Sequence, residues 1–339
     1  MTCLRTDPAR QEGTAGRPAG RVGTAAQRAL RPVVVTTAVA TYCLVVLGST
    51  VRVTESGMGC PGWPLCNGRI GPVGGFHALV EQSHRYLAAC VTIGVVVTVL
   101  LAWRAGASRR VLVPALSAAA LVGAQVVLGA VTVVTHNAPP TVALHLVGAL
   151  LLLAAVTVTA VASFAPPDAI DVGWRPTQPD LLAWSALVAT LVLLVSGSIV
   201  VDGGASAACP SWPWCSPHAG IASGLVVVQL AHRAMAVVAT ALLVACAGRT
   251  LARRRRARRG VALAWALAVL LPAQLAAGAT SALLGAPPGA EDVHLGLAAA
   301  IWGCAVALVA SVHPSIVTAP AQGSAGSPRP VGPARPGGT

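Results

Sequence analysis

Lysine is missing from this chain of 339 residues, and its 23 basic residues, all Arg, face only 10 acidic ones. Charged residues make up 10% of the sequence, where a soluble domain carries about 25%. So little charge cannot coat a soluble globule of this size, which all but excludes a cytosolic enzyme. Aromatics are also scarce at 4%, although eight of them are Trp. No dinucleotide or flavin fingerprint occurs, so the chain does not name an electron donor. The formal net charge of +13 would suit nucleic acid, but the placement of the Arg residues argues otherwise.

What the sequence does have is long apolar runs. Hydrophobic residues reach 55% and the mean hydropathy is +0.74. A bilayer-spanning helix needs about 20 mostly apolar residues. Eight runs qualify, at 32–51, 79–103, 111–134, 141–164, 181–201, 224–247, 261–284 and 292–312. The first starts too late and runs too long for a cleavable signal peptide. Eight spans put both termini on one side. Of the 23 Arg, 19 fall in the two tails and in the loops after spans 2, 4 and 6. The bias of cytoplasmic loops toward Arg makes that side cytoplasmic. The dense run at 253–259 then reads as a topology anchor, not a nucleic-acid patch. The expected class is an all-α, multi-pass cell-membrane protein. Residues 1–31 and 313–339 read as disordered cytoplasmic tails, 165–180 as a cytoplasmic linker, and 32–164 and 181–312 as two four-helix units.

The two units come from an internal repeat. Cys60-Pro61-Gly62-Trp63-Pro64-Leu65-Cys66 recurs as Cys209-Pro210-Ser211-Trp212-Pro213-Trp214-Cys215, offset by 149. His84-Arg85 matches His232-Arg233, Gln125 and Gly129 match Gln274 and Gly278, and His145-Leu146 matches His294-Leu295, all at 148 or 149. Four spans per unit is an even number, so the repeat is parallel.

Four of the eight His, namely His84, His145, His232 and His294, lie inside spans, one on the second and one on the fourth helix of each unit. Each sits within about nine residues of its outer helix end, no deeper than roughly 14 Å. An ionisable group at that depth is a functional candidate by default. A lone intramembrane His often just bonds a neighbouring helix, but four in a two-by-two pattern do not fit that reading. Zinc wants three or four close ligands. Two His on facing helices suit bis-axial ligation of a haem iron inside a four-helix bundle. The pattern therefore implies two haem sites near the outer face. Arg85 and Arg233 follow a His directly and could pair with haem propionates or snorkel to headgroups. His77, His136, His218 and His313 fall in loops or at helix ends and read as solvated or interfacial.

The repeat is not perfect. Glu81 lies three residues before His84, one turn away on the same face, and its counterpart is Gln229. A carboxyl there could move protons, whereas a haem pocket without one can still pass electrons. Chemistry is therefore assigned to the N-terminal unit and electron transfer to the C-terminal one. The plain alternative is a Glu81 that only bonds another helix. The pairs Cys60/Cys66 and Cys209/Cys215 fall in outer loops and read as short-loop disulfides. A metal site lacks further ligands nearby, and an exposed, strained disulfide could exchange with a thiol carrier. Cys43, Cys90, Cys246 and Cys304 read as packing residues, and Cys3 lies in the tail.

The run Val51-Arg52-Val53-Thr54-Glu55-Ser56-Gly57-Met58-Gly59-Cys60-Pro61-Gly62-Trp63-Pro64-Leu65-Cys66-Asn67-Gly68 closely resembles the first-loop signature of the haem A synthase family. Glu81-x-x-His84-Arg85 resembles that family's catalytic helix, and the resemblance extends over about residues 32–312. It implies oxidation of the C8 methyl of haem O to a formyl, by successive hydroxylations, giving haem A for terminal oxidases. It further implies substrate haem between His84 and His145, a haem b cofactor between His232 and His294, and Glu81 in catalysis. A haem O synthase would be the partner that supplies substrate. The loop 202–208 lacks the Arg and Thr found at 52–54, which leaves the second Cys pair's role open. The electron donor, the oxygen source and the oligomeric state, including a homo-oligomer, are also open. Two other readings compete: a di-haem electron carrier of the cytochrome b561 kind, and a parallel-repeat transporter using the His as a proton relay.

Overall fold

The computed structural model describes residues 19–60, 62–66, 68–70, 74–164, 180–216, 221–252 and 258–312, with side chains from residue 24 onward. Those residues form eight long helices: α1 Ala19–Val53, α2 Phe76–Arg104, α3 Arg109–Val134, α4 Pro139–Ser163, α5 Leu181–Asp202, α6 Ser223–Ala252, α7 Arg258–Leu283 and α8 Pro288–Val312. All eight are long and apolar enough to cross a membrane. A helix of 22 residues, the shortest here, is about 33 Å long, enough for a hydrocarbon core of about 30 Å.

The apolar runs locate the helices, and side-chain partners set their ends. α1 begins at Ala19, where a disordered tail to residue 31 was expected. The added stretch is rich in Ala, a strong helix former, and is amphipathic. Its Ala26 and Leu30 are buried, and Leu30 packs with Ala102 and Val111 at the ends of α2 and α3. On α6, Arg249 forms an ion pair with Asp180, whose side chain also caps α5. Phe164 lies between the guanidiniums of Arg31 and Arg259, 5.2 and 5.0 Å from its ring centroid, tying α1, α4 and α7 at that end. The tail before residue 19, linker residues 165–179, the Arg run 253–256, His218, His313 and the tail 313–339 lie outside the described residues.

At the opposite end, α3–α4 and α7–α8 are joined by matching tight turns. His136-Asn137 and Gly285-Ala286 are left-handed, with φ of 52°, 57°, 73° and 58°. Asn137 N–H donates to Thr132 O at 2.8 Å and Ala286 N–H to Ser281 O at 2.7 Å. Pro then opens the next helix, where its missing N–H costs nothing.

α1 packs on α2 and α4, α3 on α4, α5 on α6, and α7 on α8; α8 packs against α1 and α4. α8 is the most enclosed span: 56% of its apolar window is buried, against 22–33% in the others. Its Trp302 donates to Leu150 O on α4 at 2.8 Å, and Tyr42 on α1 donates to Gly296 O on α8 at 3.2 Å. Val45, Leu150, Leu153, Leu194, Ala299, Trp302 and Val306 form the apolar cluster between the halves.

Candidate functional site

The four His singled out above lie in two pairs. Each lies within ten residues of the start of its helix, so all four sit at the end that carries the two Cys loops. His84 is within electrostatic reach of His145, and His232 of His294. His232 and His294 line one cavity, which opens to the outside.

A glycine faces each His from a neighbouring helix. A Cβ on Gly48 of α1 would lie 3.2 Å from His84 Nε2, and one on Gly197 of α5 would lie 3.3 Å from His232 Cε1. On Gly129 of α3 it would lie 3.6 Å from His145 Cε1, and on Gly278 of α7 2.8 Å from His294 Cε1. Sequence reasoning noted Gly129 and Gly278 as repeat landmarks without this role and passed over Gly48 and Gly197. Their spacing of 149 residues was the available signal.

The polar partners differ between halves. His232 Nδ1 shares a 2.8 Å hydrogen bond with Ser196 Oγ, which leaves its other ring nitrogen for the cavity. The residue matching Ser196 is Leu47. Gln274 Nε2 lies 3.4 Å from His294 Nε2, and Gln125 occupies the matching place on α3. Among the described residues, His145 Nδ1, His294 Nδ1 and Gln125 Nε2 are buried with no hydrogen-bond partner. A buried polar nitrogen left unpaired costs about 1–3 kcal/mol.

Glu81 sits in this layer and is 4% exposed. Its Oε2 accepts from Cys60 N–H at 2.7 Å and its Oε1 accepts from Arg85 at 2.5 Å. Gln229 instead donates from Nε2 to Ser206 O at 2.9 Å. The sequence left Arg85 and Arg233 to propionates or headgroups; the structure gives both another task. Arg85 donates to the carbonyls of Cys60, Gly62 and Pro64, and Arg233 to those of Cys209, Ser211, Pro213 and Trp214. A tight Pro-containing loop has fewer backbone N–H groups than carbonyls, and a guanidinium with five donors makes up the difference. The loops are closed by disulfides, Cys60–Cys66 and Cys209–Cys215. Two expected bystanders also have defined places: His77 Nδ1 shares a 3.0 Å hydrogen bond with Ser56 Oγ, while His136 lies in the α3–α4 turn.

Among known proteins, the family model COX15-CtaA, described as cytochrome oxidase assembly protein, matches residues 31–75 and 73–306. A haem A synthase of Symbiobacterium thermophilum is 32% identical over 292 residues, covering 81% of this chain and 93% of the relative. A haem A synthase of Bacillus licheniformis is 29% identical over 255 residues, covering 72% of this chain and 82% of the relative. A protohaem IX farnesyltransferase of Halobacterium salinarum is 40% identical over 109 residues, which is 32% of this chain and 24% of that relative.

Proposed function

Because this chain belongs to the cytochrome oxidase assembly protein family, we propose that it is a multi-pass membrane oxidoreductase that converts haem O to haem A. The observation that carries the reading is a His pair in each half, with buried Glu81 one turn before His84 where the matching turn before His232 holds Gln229. Residues 32–164 act as the substrate unit and residues 181–312 as the cofactor unit. His84 and His145 hold haem O, while His232 and His294 hold haem b.

The side chains fit such a group. The cavity beside His232 and His294 is lined by small and apolar residues, among them Gly197, Ala236, Gly278 and Ala298, which suit a flat macrocycle. The unpartnered nitrogens of His145 and His294 suit a metal bond better than an apolar neighbour. Ser196 fixes the His232 ring, as outer partners of ligating imidazoles do. Haem b bound there supplies one-electron transfer. Turning a methyl into a formyl requires proton movement at the substrate haem, and Glu81 is placed to hold or pass a proton there. Each of its oxygens retains acceptor capacity beyond its present bond, so it can take a proton without releasing the loop. That loop and Arg85 hold the carboxylate one turn from His84 and keep it in place.

The Cys loops lie on the extracytoplasmic side and both termini in the cytoplasm, as the Arg distribution requires. Similarity to a farnesyltransferase segment supports a haem O synthase as the partner that hands over substrate. The protein purified from cells that make haem O should carry haem b together with haem O or haem A. Haem b alone under all conditions would favour a plain electron carrier, and no haem at all would favour a transporter.

The glycines give a finer test. At Gly278 an added methyl comes within 2.8 Å of the His294 ring, which has to shift, whereas at Gly129 the 3.6 Å distance is ordinary contact. Gly278→Ala should alter the haem absorption spectrum or lower haem content, and Gly129→Ala should do neither to haem b. Identical haem b spectra for both variants would contradict the placement of His294 on haem b.

A further inference from the structure

Arg52 belongs to α1, yet with Ser49 and Val53 it forms part of the wall of the cavity that holds His232 and His294. The cofactor cavity is therefore completed by the first helix of the other half. Arg52 Nε donates to Asp202 Oδ1 at 2.9 Å and Nη2 donates to Ser198 O at 2.7 Å. Ser198 Oγ in turn donates to Asp202 Oδ2 at 3.0 Å. The side chains of Arg52 and Asp202 are 17% and 16% exposed, so the pair is mostly withdrawn from solvent.

This pair is not part of the duplicated plan. At an offset of 149, Arg52 matches Val201 and Asp202 matches Val53. The Nη1 donors of Arg52 find no acceptor among the described residues. The cavity's other guanidinium, Arg233, uses both Nη1 and Nη2 on loop carbonyls. Of the two, Arg52 is the one with a whole terminal nitrogen, Nη1, left for an anionic group in this cavity.

We propose that Arg52 binds a carboxylate of the haem b held between His232 and His294, and that Asp202 orients it and offsets its charge. This rests on the functional reading above. A cation near the iron favours the reduced form, which holds one more electron, and an anion disfavours it. At roughly 10 Å and an effective dielectric constant of about 20, one unit charge changes that equilibrium by about tenfold or more.

The test is a potentiometric titration of haem b in the purified holoprotein, with haem content measured on the same samples. Arg52→Gln should shift the reduced-to-oxidised ratio at fixed potential about tenfold toward the oxidised form, and Asp202→Asn should shift it the other way. Arg52→Lys keeps the charge and should stay near wild type. If Arg52→Gln does not accumulate, the opposite-signed shift of Asp202→Asn and the wild-type potential of Arg52→Lys carry the test. Unchanged potentials, or shifts of the same sign in the Gln and Asn variants, overturn the proposal and leave a purely structural clamp. A wild-type protein without haem b would instead overturn the functional reading beneath it.

Discussion

Glu81→Gln should reduce haem A formation by about 100-fold or more, the scale of a lost general acid–base group, while the protein keeps its fold and its haem b. The amide oxygen can still accept from Cys60 N–H, as Glu81 Oε2 does now, while its NH2 gives up the bond that Oε1 accepts from Arg85; the matching position on α6 already holds a buried Gln. A role limited to anchoring the loop would show as lower protein yield or haem content, with haem A formed per loaded protein largely kept. A role in moving protons would not keep it, because an amide does not titrate. Haem A per loaded protein, measured in a host that supplies haem O, separates the two. Wild-type yield from the Gln variant would remove Glu81 from the chemistry and leave it as a tether between α2 and the first Cys loop.

The four His should not be equivalent. His232→Ala or His294→Ala should lower haem b occupancy by more than about tenfold, since losing even an outer partner of a metal ligand costs about 10- to 100-fold in affinity. His84→Ala or His145→Ala should retain haem b and lose haem A formation. Pyridine haemochrome spectra normalised to protein would measure this. The basis is the cavity shared by His232 and His294 and the different surroundings of the two pairs, with Ser196 on one side and Glu81 with Arg85 on the other. Equal loss of haem b from all four variants would contradict the division of labour.

Much of this architecture could be read from the sequence. Eight apolar runs located eight helices, because a membrane span must hold its own backbone hydrogen bonds and face lipid with apolar side chains. The ends were less legible. α1 gains its first residues from an Ala-rich amphipathic stretch that docks through Ala26 and Leu30, and hydropathy alone does not register such a segment. The His pairs were legible because they repeat. Gly48 and Gly197 repeat too, but a glycine has no side chain to suggest a task, and its contact with a His shows only when helices pack. Arg52 and Asp202 could not be paired from the repeat at all, because each stands where its counterpart is Val. Their meeting depends on how the ends of α1 and α5 lie across the cavity. The carbonyl cages around Arg85 and Arg233 depend in the same way on how the Cys loops fold back over α2 and α6.

The most direct measurement of the central claim is chromatography of haem extracted from cells that make haem O but no haem A, with and without this chain. The account predicts a haem A peak, with a matching fall in haem O, only when the chain is expressed. Haem O left unchanged, with the protein folded in the membrane and loaded with haem b, would contradict it.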